Sequence, residues 1–159
     1  MSVNSFKETF TKRLCIRPVC LSDKEALFSY RADPETYKHL SFVPKELGDI
    51  ENFIKKSPEN INIPGTWFQL VVLLKETNTL IGDIGLHFLD SDSKNKTVEI
   101  GYTMNPEYRN KGYAKEALRE IIDYLFSTLN KHRITASIDP LNEASIRLIE
   151  KLGFRKEAH

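Results

Sequence analysis

The hydrophobic pattern changes period along the chain, and the changes mark its elements. Thr11 to Arg17 reads as a short strand, ended by Pro18. Ser22-Asp-Lys-Glu25 then has the form of a capping box, in which Ser22 accepts from the Glu25 amide and the glutamate reaches back. A helix through about Arg31 follows, stopped near Asp33-Pro34 because the residue before a proline is pushed out of the helical region. Leu47 to Ser57 carries Ile50, Phe53 and Ile54 on one face, which predicts a second short helix, and Pro58 to Gly65 is a loop.

A meander comes next. Trp67 to Lys75 is apolar almost throughout, as a central strand should be, and Glu76 to Thr79 is a turn. Leu80 to Leu89 places Ile84, Leu86 and Phe88 on one face; after a polar turn at Asp90 to Lys96, Thr97 to Met104 does the same with Val98, Ile100, Tyr102 and Met104. The period then becomes helical: Ala114, Ala117, Leu118, Ile121, Ile122 and Leu125 form one apolar stripe. Arg133 to Ile138 is another strand, Asn142 to Leu152 a helix with Gly153 at its C-cap, and Phe154 the start of a last strand. Antiparallel hairpins followed by strand–helix–strand–helix imply an α+β fold, a mixed and mostly antiparallel sheet flanked by helices.

Bulk properties narrow the function. A chain of 159 residues suits one domain, 1–159, with a full core. The net charge of +1 supplies no general field toward nucleic acid or an anionic membrane, so any anion site must be local. Cys15 and Cys20 do not make a disulfide framework, and His39, His87, His132 and His159 are too scattered for a metal centre. The segment from Met1 to Arg17 has no apolar h-region and Leu70 to Leu74 is too short to span a bilayer, so the expected location is cytoplasmic.

The most informative segment is YTMNPEYRNKGYA, Tyr102 to Ala114. A buried strand ends at Asn105-Pro106, and a short loop enters a helix at about Gly112. Amides at that helix start lack intrahelical acceptors and share one focus with the positive end of the helix dipole. Gly112 allows a tight turn and removes a side chain that would block a phosphate, while Arg109 and Lys111 add positive charge. The same spacing also serves a plain turn. It is neither a Walker loop nor a GxGxxG fingerprint. Gly101, inside an apolar strand, marks either a bulge that splays the strand from its neighbour, leaving room for a thin extended ligand, or a packing site under an aromatic ring.

Arg109-Asn-Lys-Gly-Tyr-Ala114 resembles the [QR]xxGx[GA] signature of the GNAT acetyltransferases. EIGYTMNPEYRNKGYAKEAL (Glu99 to Leu118), NEASIRLIEKLGF (Asn142 to Phe154) and TKRLCIRP (Thr11 to Pro18) resemble the RimJ/RimL branch of that family, in order and over nearly the whole chain. The resemblance implies a GNAT-like fold and an acetyl-CoA-dependent N-acetyltransferase with a primary amine as acceptor. It implies that Thr103 and Met104 line the pantetheine path, Met104 through its backbone, that Arg109, Asn110, Lys111, Gly112, Tyr113 and Ala114 hold the pyrophosphate, and that Asn142 meets the cofactor from the facing side.

The family's usual chemistry is direct attack of an amine on a thioester, which needs a base, a carbonyl donor and an acid. Glu99, on the strand face shared with Gly101 and Thr103, is the candidate base; a cross-strand ion pair or a substrate anchor is the other reading. Asp83 and His87 are weaker candidates. Ser145, one turn after Asn142, is the candidate acid, or else belongs to a helix cap. Two departures stand out. Ile149 occupies the place of a tyrosine acid in many relatives, and Ser137 that of a glutamate base in some. Relatives also continue past Gly-Phe into a final hairpin; a sheet ending at His159 would leave an edge for a second copy, making a homodimer, or for further residues. The acceptor, a peptide N-terminus or a small molecule such as a polyamine or antibiotic, would meet the segment Tyr37 to Gly65. A non-catalytic CoA-binding sensor is the rival from another class.

Overall fold

The structure is a computed structural model that describes residues 5–37, 43–90, 94–136, 138 and 142–155. Six strands form one sheet in sequence order: β1 (Thr9–Phe10), β2 (Leu14–Pro18), β3 (Thr66–Leu74), β4 (Leu80–Phe88), β5 (Thr97–Met104) and β6 (Arg133–Ala136). Every neighbouring pair is antiparallel except β5 with β6, which run parallel at one edge. The α+β class with a mostly antiparallel sheet is therefore as expected. The parallel pairing needs a crossover, and α4 (Tyr113–Ser127) provides it.

Alternation sorts the strands' side chains between two cores. Phe68, Leu70 and Val72 of β3 point to the larger one, with Ile84, Leu86, Val98 and Ile100. Ala117, Leu118, Ile121 and Leu125 of α4 cover it, as their helical spacing requires. The opposite face of β3 sends Val71 and Leu73 to a smaller core with Leu27 and Tyr30 of α1 (Lys24–Arg31) and Ile50 and Ile54 of α3 (Leu47–Lys55). There α1 is also held by a buried polar group. Arg31 Nη2 lies 2.6 Å from Asp83 Oδ1, and the Tyr30 phenol donates to the same carboxylate. A buried pair of this kind costs desolvation and is tolerated because each charge has a close partner.

Several boundaries differ from the expected ones for local reasons. Thr11 does not begin the first strand; it lies in the turn of a hairpin whose first arm is β1. The capping box falls two residues early: Cys20 takes the N-cap position and the Asp23 carboxylate accepts from the Cys20 amide at 2.9 Å, because Arg17 already fixes that carboxylate at 2.8 and 2.9 Å. Pro34 stops α1 and then opens a one-turn helix, α2 (Pro34–Tyr37), at the position where proline lacks nothing. Of the last predicted strand only its start is described: Phe154 is irregular, its amide bonded to the Ile149 carbonyl at 3.3 Å in the cap that ends α5 (Glu143–Lys151), and residues 156–159 lie outside the described residues. Ser137 lies outside the described residues.

Candidate functional site

Among the described residues, pairing between β5 and β6 runs from Thr97↔Arg133 to Ile100↔Ala136. From Gly101 onward β5 has no pairing on that side among the described residues, and a cleft of about 580 Å³ opens between β5, the start of α4 and α5. Gly101 sits at the parting point. A methyl group added to it would meet nothing within 4 Å, so it is not a packing glycine; Gly85, its cross-strand partner, is the one under a ring, with Trp67 Cε3 at 3.2 Å.

The loop from β5 to α4 is built to turn. The Asn105 side chain accepts from the Glu107 amide at 3.0 Å, Pro106 opens a single turn through Tyr108, and Asn110 and Gly112 both adopt positive φ, 62° and 81°. The first helical bond of α4 joins the Glu116 amide to the Gly112 carbonyl at 3.1 Å. The amides of Tyr113, Ala114 and Lys115 thus have no acceptor within the helix, and the positive end of a fifteen-residue dipole stands behind them.

The turn between β1 and β2 braces this loop. Glu116, in the first turn of α4, accepts from Thr11 Oγ1 at 2.5 Å, the Arg13 amide at 2.9 Å and Arg13 Nε at 2.7 Å. The guanidinium then lies over the Tyr113 ring, 4.3 Å from its centre, and Nη1 donates to the Lys111 carbonyl at 3.0 Å. Partial burial alone would raise the Glu116 carboxyl, but the hydrogen bonds from Thr11 and Arg13, with the guanidinium charge, outweigh it and hold it below the usual glutamate range. Arg13 and Glu116 were not singled out as site residues in the sequence; their separation of 103 positions hides the pairing.

On the facing side, Asn142 caps α5, its Oδ1 accepting from the Ser145 amide at 3.2 Å. The Ser145 hydroxyl is left for other work, and it accepts from the Tyr102 phenol at 2.9 Å. Burial pushes the Tyr102 phenol up, more than Ser145 and Arg109 pull it down, so it stays protonated near neutral pH. Tyr102 had been assigned only to the apolar face of its strand. The signal was a phenol in an otherwise aliphatic run, since a buried tyrosine hydroxyl usually has a partner. Ile149, where a relative's tyrosine would stand, is buried in the core.

The remaining candidates divide. Thr103, Met104, Arg109, Asn110, Gly112, Tyr113 and Ala114 line the cleft, as do Asn142 and Ser145. Lys111 contributes its carbonyl to Arg13 rather than a wall. Met104 accepts from Arg109 Nη2 at 3.4 Å, whereas the next amide, Asn105, bonds back to Ile81 at 2.8 Å. The N–H and C=O of a strand residue point the same way, so the Met104 amide faces the gap. Glu99 lies outside the lining, on the paired part of β5. Its Oε1 is 3.2 Å from His87 Nδ1, and His87 stacks on Trp67 at 4.6 Å. Asp83 is consumed by Arg31 and Tyr30.

The sequence profile described as the acetyltransferase (GNAT) domain matches residues 13–155. The chain belongs to the GNAT family. It is 34% identical over 149 residues to the uncharacterized N-acetyltransferase p20 of Bacillus licheniformis, covering 93% of this chain and 82% of that protein. A GNAT-family acetyltransferase crystal structure from Bacillus anthracis is 34% identical and superposes with a TM-score of 0.82, over 96% of this chain and 86% of that one. The fold is shared with spermidine N-acetyltransferase from Vibrio cholerae, crystallised with CoA and spermine, at 21% identity, TM-score 0.77, and coverage of 94% and 85%.

This GNAT chain is an acetyl-CoA-dependent N-acetyltransferase, and its residues fit that cosubstrate. The α4 amides and the bare Gly112 suit a pyrophosphate. The parting of β5 from β6 beside Gly101 suits a slender, extended arm. Among the described residues no helix is long and apolar enough to cross a membrane, and no cluster of three metal-binding side chains occurs.

Proposed function

We propose that the cleft carries direct acetyl transfer to a primary amine, with a peptide N-terminus of the ribosomal-protein type as the acceptor suggested by the RimJ/RimL-like segments. The carrying observation is the gap at Gly101, open beside both the α4 amides and the Tyr102–Ser145 hydroxyl pair. Bound acetyl-CoA supplies an activated acyl thioester. The α4 amides, with Arg109, hold its pyrophosphate, and the Met104 amide donates to the acyl oxygen as charge develops there. Glu99 takes the ammonium proton of the acceptor through water, with His87 fixing the carboxylate at Oε1. As the C–N bond forms and the C–S bond breaks, Ser145 delivers its proton to the departing sulfur and is resupplied by Tyr102.

A polyamine acceptor is the second reading, favoured by the shared fold with the spermidine enzyme. The sensor reading loses support, because Tyr102 restores a protonated donor that Ile149 does not supply. The test is calorimetric titration with acetyl-CoA, followed by free-thiol release with an alanine-initiated peptide, spermine and an aminoglycoside. Release with one class names the acceptor, and binding without release from any of them returns the sensor reading. Tyr102→Phe and Glu99→Gln should each then lower kcat with acetyl-CoA affinity unchanged; an undiminished kcat in Glu99→Gln removes Glu99 from the role of base.

A further inference from the structure

The cleft passes through the sheet. Tyr102 and Met104 face the larger core, the side of α4 and α5. Gly101 and Thr103 belong to the opposite face, because Thr103 is the register partner of Asp83, whose carboxylate turns toward Tyr30 and Arg31 of α1. Thr36 of α2, which follows α1 after two residues, also lines the cleft.

Thr36 is the anomaly. It is only 3% exposed, its amide is spent on the Asp33 carbonyl at 2.9 Å, and its Oγ1 is buried with no hydrogen-bond partner among the described residues. A buried hydroxyl left unpaired is costly, and nearly all such groups in folded proteins find partners. Asn95 Oδ1 is the other unpaired buried atom among the described side chains, and it does not line the cleft. Orphans that persist at the wall of a binding site are explained by a ligand that completes them. Thr36 lines the cleft from α2 with its Oγ1 buried behind the wall, whereas the pyrophosphate amides reach it from the start of α4.

We infer that Thr36 is part of the acceptor subsite: its Oγ1 accepts a hydrogen bond from the N–H of the incoming primary amine, which enters along α2 and meets the acetyl group at Gly101. This rests on the acetyl-transfer reading. The acceptor nitrogen needs such a partner, because it must shed water on entering and must still be aimed. An N–H held by Thr36 directs the nitrogen lone pair away from α2 and into the gap. A hydroxyl does this for a neutral amine and favours the ammonium form far less than a carboxylate in that place would. Glu99 can then stand farther back and remove the proton through water.

The test uses a probe that carries both halves: CoA joined through its sulfur to the acetamide of propylamine, compared with CoA itself, by calorimetry on the full chain. Wild type should bind the probe more tightly than CoA. Thr36→Val keeps shape and removes the hydroxyl; it should weaken the probe about tenfold, the effect of one buried hydrogen bond, and leave CoA unchanged. Thr36→Ser should restore the probe's advantage. The Val variant should melt at the same temperature as wild type or higher, since it deletes an unsatisfied group, and Thr36→Ala serves if it fails to fold. An equal probe-to-CoA ratio in wild type and the Val or Ala variant overturns the inference, as does a wild type that gains nothing from the propylamide. Failure of wild type to bind CoA overturns the acetyl-transfer reading instead.

Discussion

Gly112 allows stability and cofactor binding to be separated at one position. Its φ of 81° is left-handed, and a β-carbon there would lie 3.3 Å from Arg13 Nη2, the mobile end of a side chain. In Gly112→Ala the contact is relieved cheaply and the backbone remains the main cost, about 1–2 kcal/mol for an L-residue in that region. For a chain of this size that lowers the melting temperature by about 2–8 °C. Gly112→Asp should be less destabilised, because aspartate tolerates the left-handed region better and its carboxylate would meet the Arg13 guanidinium. Its binding should be far worse. A like charge set beside a bound anion costs about 3 kcal/mol at an intermediate dielectric, which is about a hundredfold in Kd. The two variants should therefore rank oppositely in differential scanning calorimetry and in acetyl-CoA titration, with Ala the less stable and Asp the weaker binder. If Asp binds acetyl-CoA as well as Ala does, the pyrophosphate is not at this loop.

Further outcomes are expected at Glu116 and at the two cysteines. Glu116→Gln should weaken acetyl-CoA about three- to tenfold with kcat maintained, because it loosens the loop without touching the reacting atoms. The wild-type carboxylate, held low, stabilises the fold above the ordinary glutamate range and loses that contribution as the pH falls through its depressed value, so the acid limb of a melting-temperature profile should be shallower in the variant. Exposed Cys20 should react with a disulfide reagent at pH 8 while Cys15 does not, since burial and then the hydrogen bond to Glu8 push the Cys15 thiol up to about 11. Because the unfolded thiol ionises first, Cys15 should also cost stability as the pH rises from about 8.5 toward that value, measured against Cys15→Ala.

Where the chain's pattern had a strong period, the structure followed it. β5 has the expected bounds, Thr97–Met104, and the stripe from Ala114 to Leu125 lies on α4 facing the larger core. The shape of the loop into α4 was also legible, because a glycine and a helix start are both local. What escaped was non-local or short. The two residues of β1 carry too little pattern to be read, and Ser22 lost its capping role to an aspartate already bound by Arg17. Arg13 and Glu116 each look like an ordinary surface charge until the sheet brings them together. Tyr102 was hidden by its own neighbours, being in register with core positions while its hydroxyl serves the cleft. Thr36 carries no sequence signal; only the lack of a partner in the folded chain marks it.

The tie between Arg13 and the Lys111 carbonyl has a consequence at the far end of the polypeptide. Linkage is reciprocal: if docking of β2 shapes the loop for an anion, then an anion on the loop holds β2 down by the same free energy. The amino-terminal hairpin, tied to this loop through Arg13, thus reports on a cofactor it does not touch. Amide hydrogen exchange at Leu14 and Ile16 should slow when the loop is filled, so that fraying of the first strand and release of the spent cofactor become two readings of one equilibrium.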